Sequence, residues 1–288
     1  MKSWLIVAII FISLGVQAQG IQLGLGLGKS IYWGDLNAPE FSSNLSNNGG
    51  TAIQVYGKYN HRGRFGLKAG FLLGKLKGDD AQSSLDWQKE RNLNFQSNLA
   101  ELSISGEYYI FGYQPYGGEQ VFSPYFTAGL AGFYFNPKTQ FEGNTYELQP
   151  LGTEGQGAGG YGKKYSKYSV AIPFGAGAII KAGRNFDIGF EINARTTLTD
   201  YIDDVSADYV NYYELMQMNG ELAARLSDRT PEYLGQSEPM ERQTGTQRGG
   251  ANVKDWYFTA MVNLSFNISD SESLNRRKSQ YKSYCPKF

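Results

Sequence analysis

One imidazole and one thiol, His61 and Cys285, occur in 288 residues, so any triad, cysteine–histidine pair or histidine-rich metal site would have to run through that single ring. His61 sits in a His-Arg-Gly-Arg run with no serine nucleophile placed near it, which reads as a solvated turn. Carboxylates are the other candidates. Asp200, Asp203, Asp204 and Asp208 cluster around Tyr201 and could offer oxygen donors to calcium, but they lack the spacing and closing glutamate of an EF-hand loop. The glycines of residues 148–160 resemble a phosphate cradle, yet no Gly-Lys-Ser/Thr ending follows. These residues lead us to expect no cofactor, no metal, no small-molecule substrate and no enzymatic activity. The surviving catalytic alternative is an acid–base pair of loop carboxylates.

The elements that would position these groups follow from patterning. Lys+Arg and Asp+Glu both number 27, and this neutral balance argues against a nucleic-acid binder. Residues 1–18 have the order of a secretory signal peptide: Lys2, an apolar run of about 11 residues, then small residues at Val16 and Ala18. Beyond them no stretch is apolar enough for a membrane helix, a result that leaves strands untouched because a barrel strand shows lipid only every second residue. Alternation is nearly complete over residues 254–268, where Trp256, Phe258, Val262, Leu264 and Phe266 share one face and Asp255, Thr259, Asn263 and Ser265 the other. The same test succeeds over 186–199 and, less cleanly, over 21–33, 51–60, 65–75, 99–111, 122–135 and 168–181.

Eight strands of bilayer-spanning length, joined by links that alternate long and short, predict an all-β fold. We expect an eight-stranded antiparallel outer-membrane barrel over residues 19–268, with long extracellular loops and both chain ends in the periplasm. The first strand should pair with the last, since lipid tolerates no open edge. The less oily face carries Lys58, Lys68, Glu101, Glu107, Glu191 and Arg195 among many glycines. Eight strands leave room inside only for side chains, so these charges should form a paired lumen plug and not line a pore. In the last long link, a helix-like run from Tyr212 to Leu226 and the loop of Asp200, Tyr201, Asp203 and Asp204 should cap the barrel mouth. Pro124 and Pro173 fit poorly, because proline loses a ladder bond.

Residues 269–288 form a basic tail with Arg276, Arg277, Lys278, Lys282 and Lys287 against Asp270 and Glu272. In an oxidising compartment Cys285 is either an idle thiol or half of an intermolecular disulfide. The tail should therefore be a tether or a docking segment for another periplasmic protein.

Four groups of residues also carry a resemblance: Tyr-Trp-Gly-Asp-Leu-Asn at 32–37; Phe-Tyr-Phe-Asn-Pro at 133–137 with Leu-Gln-Pro-Leu-Gly-Thr-Glu-Gly at 148–155; Ala-Ile-Pro-Phe-Gly at 171–175; and Thr-Asp-Tyr-Ile-Asp-Asp-Val-Ser at 199–206. In this order they resemble the PorG-like family, an outer-membrane barrel component of the type IX secretion system. The resemblance implies a non-enzymatic part of the secretion and gliding apparatus that aligns a periplasmic ring with the outer membrane. It also implies that Cys285 bonds the lipoprotein of that ring.

Overall fold

The computed structural model describes residues 20–37, 44, 48–61, 63–115, 120–183, 185–250 and 253–268. Eight long strands make the wall: β1 (Ile21–Trp33), β2 (Gly50–His61), β3 (Phe65–Asp79), β4 (Asn94–Tyr109), β5 (Phe122–Phe141), β7 (Tyr168–Lys181), β8 (Phe186–Thr197) and β9 (Trp256–Asn267). A ninth, β6 (Asn144–Glu147), folds back on the end of β5. All pairings are antiparallel, β1 closes on β9 from Gln22↔Asn267 to Trp33↔Trp256, and β4 closes on β5, so the ring has no open edge. Among the described residues no helix is long and apolar enough to cross a membrane.

Alternation sets the two faces. Leu23, Leu25, Leu27, Ile53, Val55, Leu102, Ile104, Phe190, Ile192 and Val262 are all exposed outward, while Gln22, Gln54, Lys58, Glu101, Glu107 and Glu191 are buried inward. Water-soluble monomers rarely expose more than a few hundred Å² of contiguous apolar surface. A belt drawn from every strand of the ring is satisfied by hydrocarbon, which makes this a transmembrane barrel.

Strands β3, β4 and β5 run several residues past the bounds expected from sequence, and they do so by exchanging faces. In β3, Leu67, Phe71 and Leu73 point outward with Lys68 inside, but further along Lys75 and Lys77 point outward with Leu76 fully buried. β4 does the same, with Phe95 and Leu99 inside above Glu101 and Glu107. The upper part is thus a β-barrel with an ordinary apolar core, in which Leu72, Leu76, Phe95, Leu99, Phe133, Phe135 and Phe141 pack against Ile202, Val205 and Leu226 of the last long link.

That link carries three short helices, α2 (Tyr212–Asn219), α3 (Glu221–Ser227) and α4 (Thr230–Leu234), while α1 (Asp86–Arg91) lies between β3 and β4. The single helix expected over 212–226 is divided at Gly220, whose φ of 93° an L side chain rarely adopts. Asn211 starts α2 by accepting from the Tyr213 and Glu214 amides.

Both prolines find places where little is lost. The β5–β7 ladder runs to Ala128↔Phe174 and resumes at Ala131↔Ala171, so Pro173 stands opposite Gly129 in the gap while keeping its register with Arg195 on the other side. Pro124 lies opposite Ile110, just beyond the last residue of β4, where its carbonyl still accepts from the Ile110 amide at 3.0 Å.

Candidate functional site

The site has two levels, a charged plug in the lumen and a stapled cap over one mouth. In the plug, Lys68 on β3 reaches Glu191 on β8 at 2.6 Å, between strands four places apart in a ring of eight and hence directly opposite. Lys58 meets Glu107 at 2.8 Å, and Lys68 also lies 3.6 Å from Glu107. Arg195 on β8 forks onto Glu101 on β4 at 2.6 and 3.3 Å and donates to Thr259 at 2.7 Å. Three cations face three carboxylates, every one at most 5% exposed. Tyrosines complete the acceptor sets: Tyr257 donates to Glu101 at 2.7 Å, Tyr125 to Glu191 at 2.7 Å, and Tyr109 to Glu107.

The glycines expected on this face make room for those side chains. A Cβ on Gly24 would lie 2.1 Å from the Tyr56 ring, and one on Gly177 would lie 2.4 Å from the ring of Tyr125. Such a plug is held by register, because each partner is fixed by its place on the pleat. The net gain from burying a charge pair is small, but loss of one partner strands the other, a cost of about 3–5 kcal/mol.

Below the plug, at the end where β1 begins and β9 finishes, Tyr113 from the β4–β5 link enters the barrel and is almost fully buried. Its hydroxyl donates to Asp187 and accepts from the Gln22 amide at 2.8 Å, while its own backbone N–H bonds Gly63 at 2.5 Å. Periodicity gives no sign of this floor, because Tyr113 belongs to a link and not to a strand.

The cap is held by carboxylates. Tyr32 Oη lies 2.7 Å from both Asp203 Oδ2 and Asp255 Oδ1 and accepts from the Asp35 amide at 3.0 Å. A Cβ on Gly34 would stand 1.9 Å from that hydroxyl and 2.2 Å from Asp255, so only glycine permits the junction. Asp203 also accepts from the Val205 amide at 2.9 Å, and Asp255 from the Ile202 amide at 2.8 Å. Asp204 accepts from Thr153 and Tyr165, both at 2.6 Å, and Asp200 accepts from Ser206 at 2.7 Å. Tyr201 stacks on Tyr165 with ring centres 4.5 Å apart.

Arg248 is buried beneath them and donates to Glu154 at 2.7 Å, to the Asp204 carbonyl at 2.8 Å and to the Ser227 carbonyl at 3.1 Å. Arg91 ties α1 to the same region through Asp80 at 2.7 and 2.8 Å and the Asp35 carbonyl at 2.8 Å. Burial pushes the Asp204 carboxyl up to about 7 against the pull of Arg248, and pushes Asp200 up to about 6. Asp203 and Asp255 rise for the same reason, reinforced for Asp203 by the charge of Asp255.

The residues singled out for the mouth, Asp200, Tyr201, Asp203 and Asp204, therefore meet in space, but each is engaged with its own loop partner. Lys58, Lys68, Glu101, Glu107, Glu191 and Arg195 lie together in the lumen in the contacts given above. Cys285, Arg276, Arg277, Lys278 and Lys282 lie outside the described residues, as do residues 1–18. Sequence patterning did not single out Arg248, Asp255, Asp80 and Arg91 as site residues. Asp255 was visible only as an alternating polar position, and Arg248 stands before a Gly-Gly pair with no period around it. His61 closes β2 and is exposed, with the Tyr59 ring as its neighbour at 6.3 Å.

The segments that carry the resemblance noted above supply much of this cap: Tyr32 and Asp35 from the first, Thr153 and Glu154 from the second, and Asp200 through Ser206 from the last.

The comparison with curated proteins found no match. Among solved structures the chain is similar to Neisserial surface protein A at 8% identity over 86% of this chain and 97% of that one, with a TM-score of 0.41. It is also similar to a major outer membrane protein from Thermus thermophilus (11%, 85% and 98%, TM-score 0.39) and to Ail of Yersinia pestis (10%, 86% and 98%, TM-score 0.37). Residues 1–224 match the model of the domain of unknown function DUF6089, and the chain belongs to that family.

Proposed function

We propose that the protein is a non-enzymatic outer-membrane anchor, a sealed barrel whose periplasmic tail holds a ring complex of the type IX secretion and gliding apparatus against the membrane. The observation that carries this reading is the closed lumen: ion pairs cross it, Tyr113 fills one end and the apolar core under the cap fills the other. A barrel filled in this way offers a solute no path, so its contribution to the cell lies in what it attaches to. The partner class comes from the PorG-like motifs. Cys285 and the basic residues Arg276, Arg277, Lys278 and Lys282 would form the attachment, the thiol through a disulfide with the ring lipoprotein.

Each contact can be weak by itself, because copies spaced around a ring bind with avidity. The test is a comparison of non-reducing and reducing gels of outer membranes from cells carrying the native chain or Cys285→Ser. A high-mass band that requires both oxidation and Cys285 supports the anchor. A monomer in every lane, with undiminished recovery of the ring lipoprotein alongside the Ser variant, rejects the covalent attachment.

A further inference from the structure

The cap contains a cleft that none of the contacts above requires. It lies between the tip of the β5–β6 hairpin and helices α2 to α4, at the end of the barrel opposite the one where β1 begins and β9 finishes, and encloses about 490 Å³. That volume falls within the range of small-molecule sites.

Three arginines line it, each already paired: Arg225 with Glu142 at 2.5 Å, Arg229 with Glu232 at 2.7 Å, and Arg242 with Asp228. The guanidinium of Arg225 lies 4.6 Å from the centre of the Phe141 ring, and that of Arg242 lies 4.7 Å from the Tyr209 ring, so their planes are fixed. Ser227, the last residue of α3, also lines the cleft; it is 3% exposed, and its hydroxyl has no hydrogen-bond partner among the described residues. A buried hydroxyl left unpaired costs free energy unless something arrives to satisfy it.

We propose that this cleft binds a neutral sugar, as the terminal unit or units of a glycan. The lining argues for that class. An anion would meet Glu142, Glu221 and Glu232, and a cation would meet three guanidiniums. The adjacent hydroxyls of a sugar donate and accept at once, so a single unit can bridge an arginine and its carboxylate without disrupting the pair. Pro231, Pro239 and Met240 supply apolar surface for the C–H face of a ring. Among the described residues Arg242 donates through Nε, toward Asp228, and Nη2, toward Thr230, so Nη1 is the nitrogen placed to donate to a ligand.

The test uses the full chain, fluorescently labelled in lipid nanodiscs, on an array of neutral, uronic-acid and sulfated glycans. Polysaccharide and short free oligosaccharides of the same repeat then serve as separate competitors, to tell a surface polymer from a soluble sugar. Saturable binding to neutral glycans with a common terminal unit is expected, weakened at least tenfold by Arg242→Gln and several-fold by Ser227→Ala. Glu238→Gln, a change outside the cleft lining, should bind as the native chain does. If Arg242→Gln perturbs the cap, seen as a lowered melting temperature, Ser227→Ala decides. Absence of neutral-glycan binding above empty nanodiscs, preference for sulfated or uronic glycans, or unchanged binding by Ser227→Ala would each overturn the proposal.

Discussion

From Phe65 to Leu73, β3 turns leucine and phenylalanine outward and Lys68 inward; from Gly74 to Asp79 the same strand turns Lys75 and Lys77 outward and buries Leu76. The pleat never changes, so what changes is the solvent outside. Below the exchange the wall faces hydrocarbon, and polar groups must be satisfied within the lumen. Above it the wall faces water, and the apolar side chains retreat inside. The two halves hold themselves together by different means. Charges below are paired by strand register across the lumen, whereas carboxylates above are buried against loops: Asp203 and Asp255 share the Tyr32 hydroxyl and take one backbone amide each, and Asp204 accepts from the Thr153 and Tyr165 hydroxyls.

The difference predicts where the molecule breaks. Arg195→Met should cost about 3–5 kcal/mol in urea-unfolding measurements, because Glu101 is left charged and buried, while Arg195→Met combined with Glu101→Met should recover most of that loss. An equal cost for single and double variants would mean that the pair is not what holds the plug. In the upper half the damaging change is apolar: Leu76→Ala should cost about 2–5 kcal/mol through the cavity it leaves. On the outer wall, Val262→Arg faces lipid and should cost about 2–4 kcal/mol, whereas Lys77→Leu, above the exchange, should stay within about 0.5 kcal/mol. Similar costs at these two positions would misplace the boundary.

The cap should respond to pH. A carboxyl whose folded pKa is raised binds more protons in the folded than in the unfolded state, so stability is full below the ordinary carboxylate range and falls as pH rises through the folded value. For Asp200 and Asp204 that window runs from near 4 up to about 6 and about 7. Hydrogen exchange corrected for intrinsic rate should therefore show residues 200–206 opening more readily at pH 8 than at pH 5. Asp204→Asn should flatten that dependence.

The same exchange of faces explains what could be read from the chain. β1 and β7 matched their expected bounds because their pattern does not invert within them, and the closure of β1 on β9 followed from the edge argument alone. β3 and β5 run on past Lys75 and Phe135, and β4 begins before Leu99, because alternation continues there but the oily face changes side and the period test loses its phase. The lumen charges stand at alternating strand positions, where register places them. Tyr113 and Arg248 carry no such signal, since loop residues have no period and their partners lie in distant segments: Tyr113 meets Gln22 and Asp187, and Arg248 meets Glu154.

Sealing is the property on which the anchor reading stands, and single-channel recording of the purified full chain in planar bilayers tests it most directly. The native protein should show no unitary conductance in concentrated potassium chloride, while a Lys68→Ala, Glu191→Ala pair, which removes the bridge between opposite strands, should show intermittent openings. Steady channels from the native protein would contradict the account.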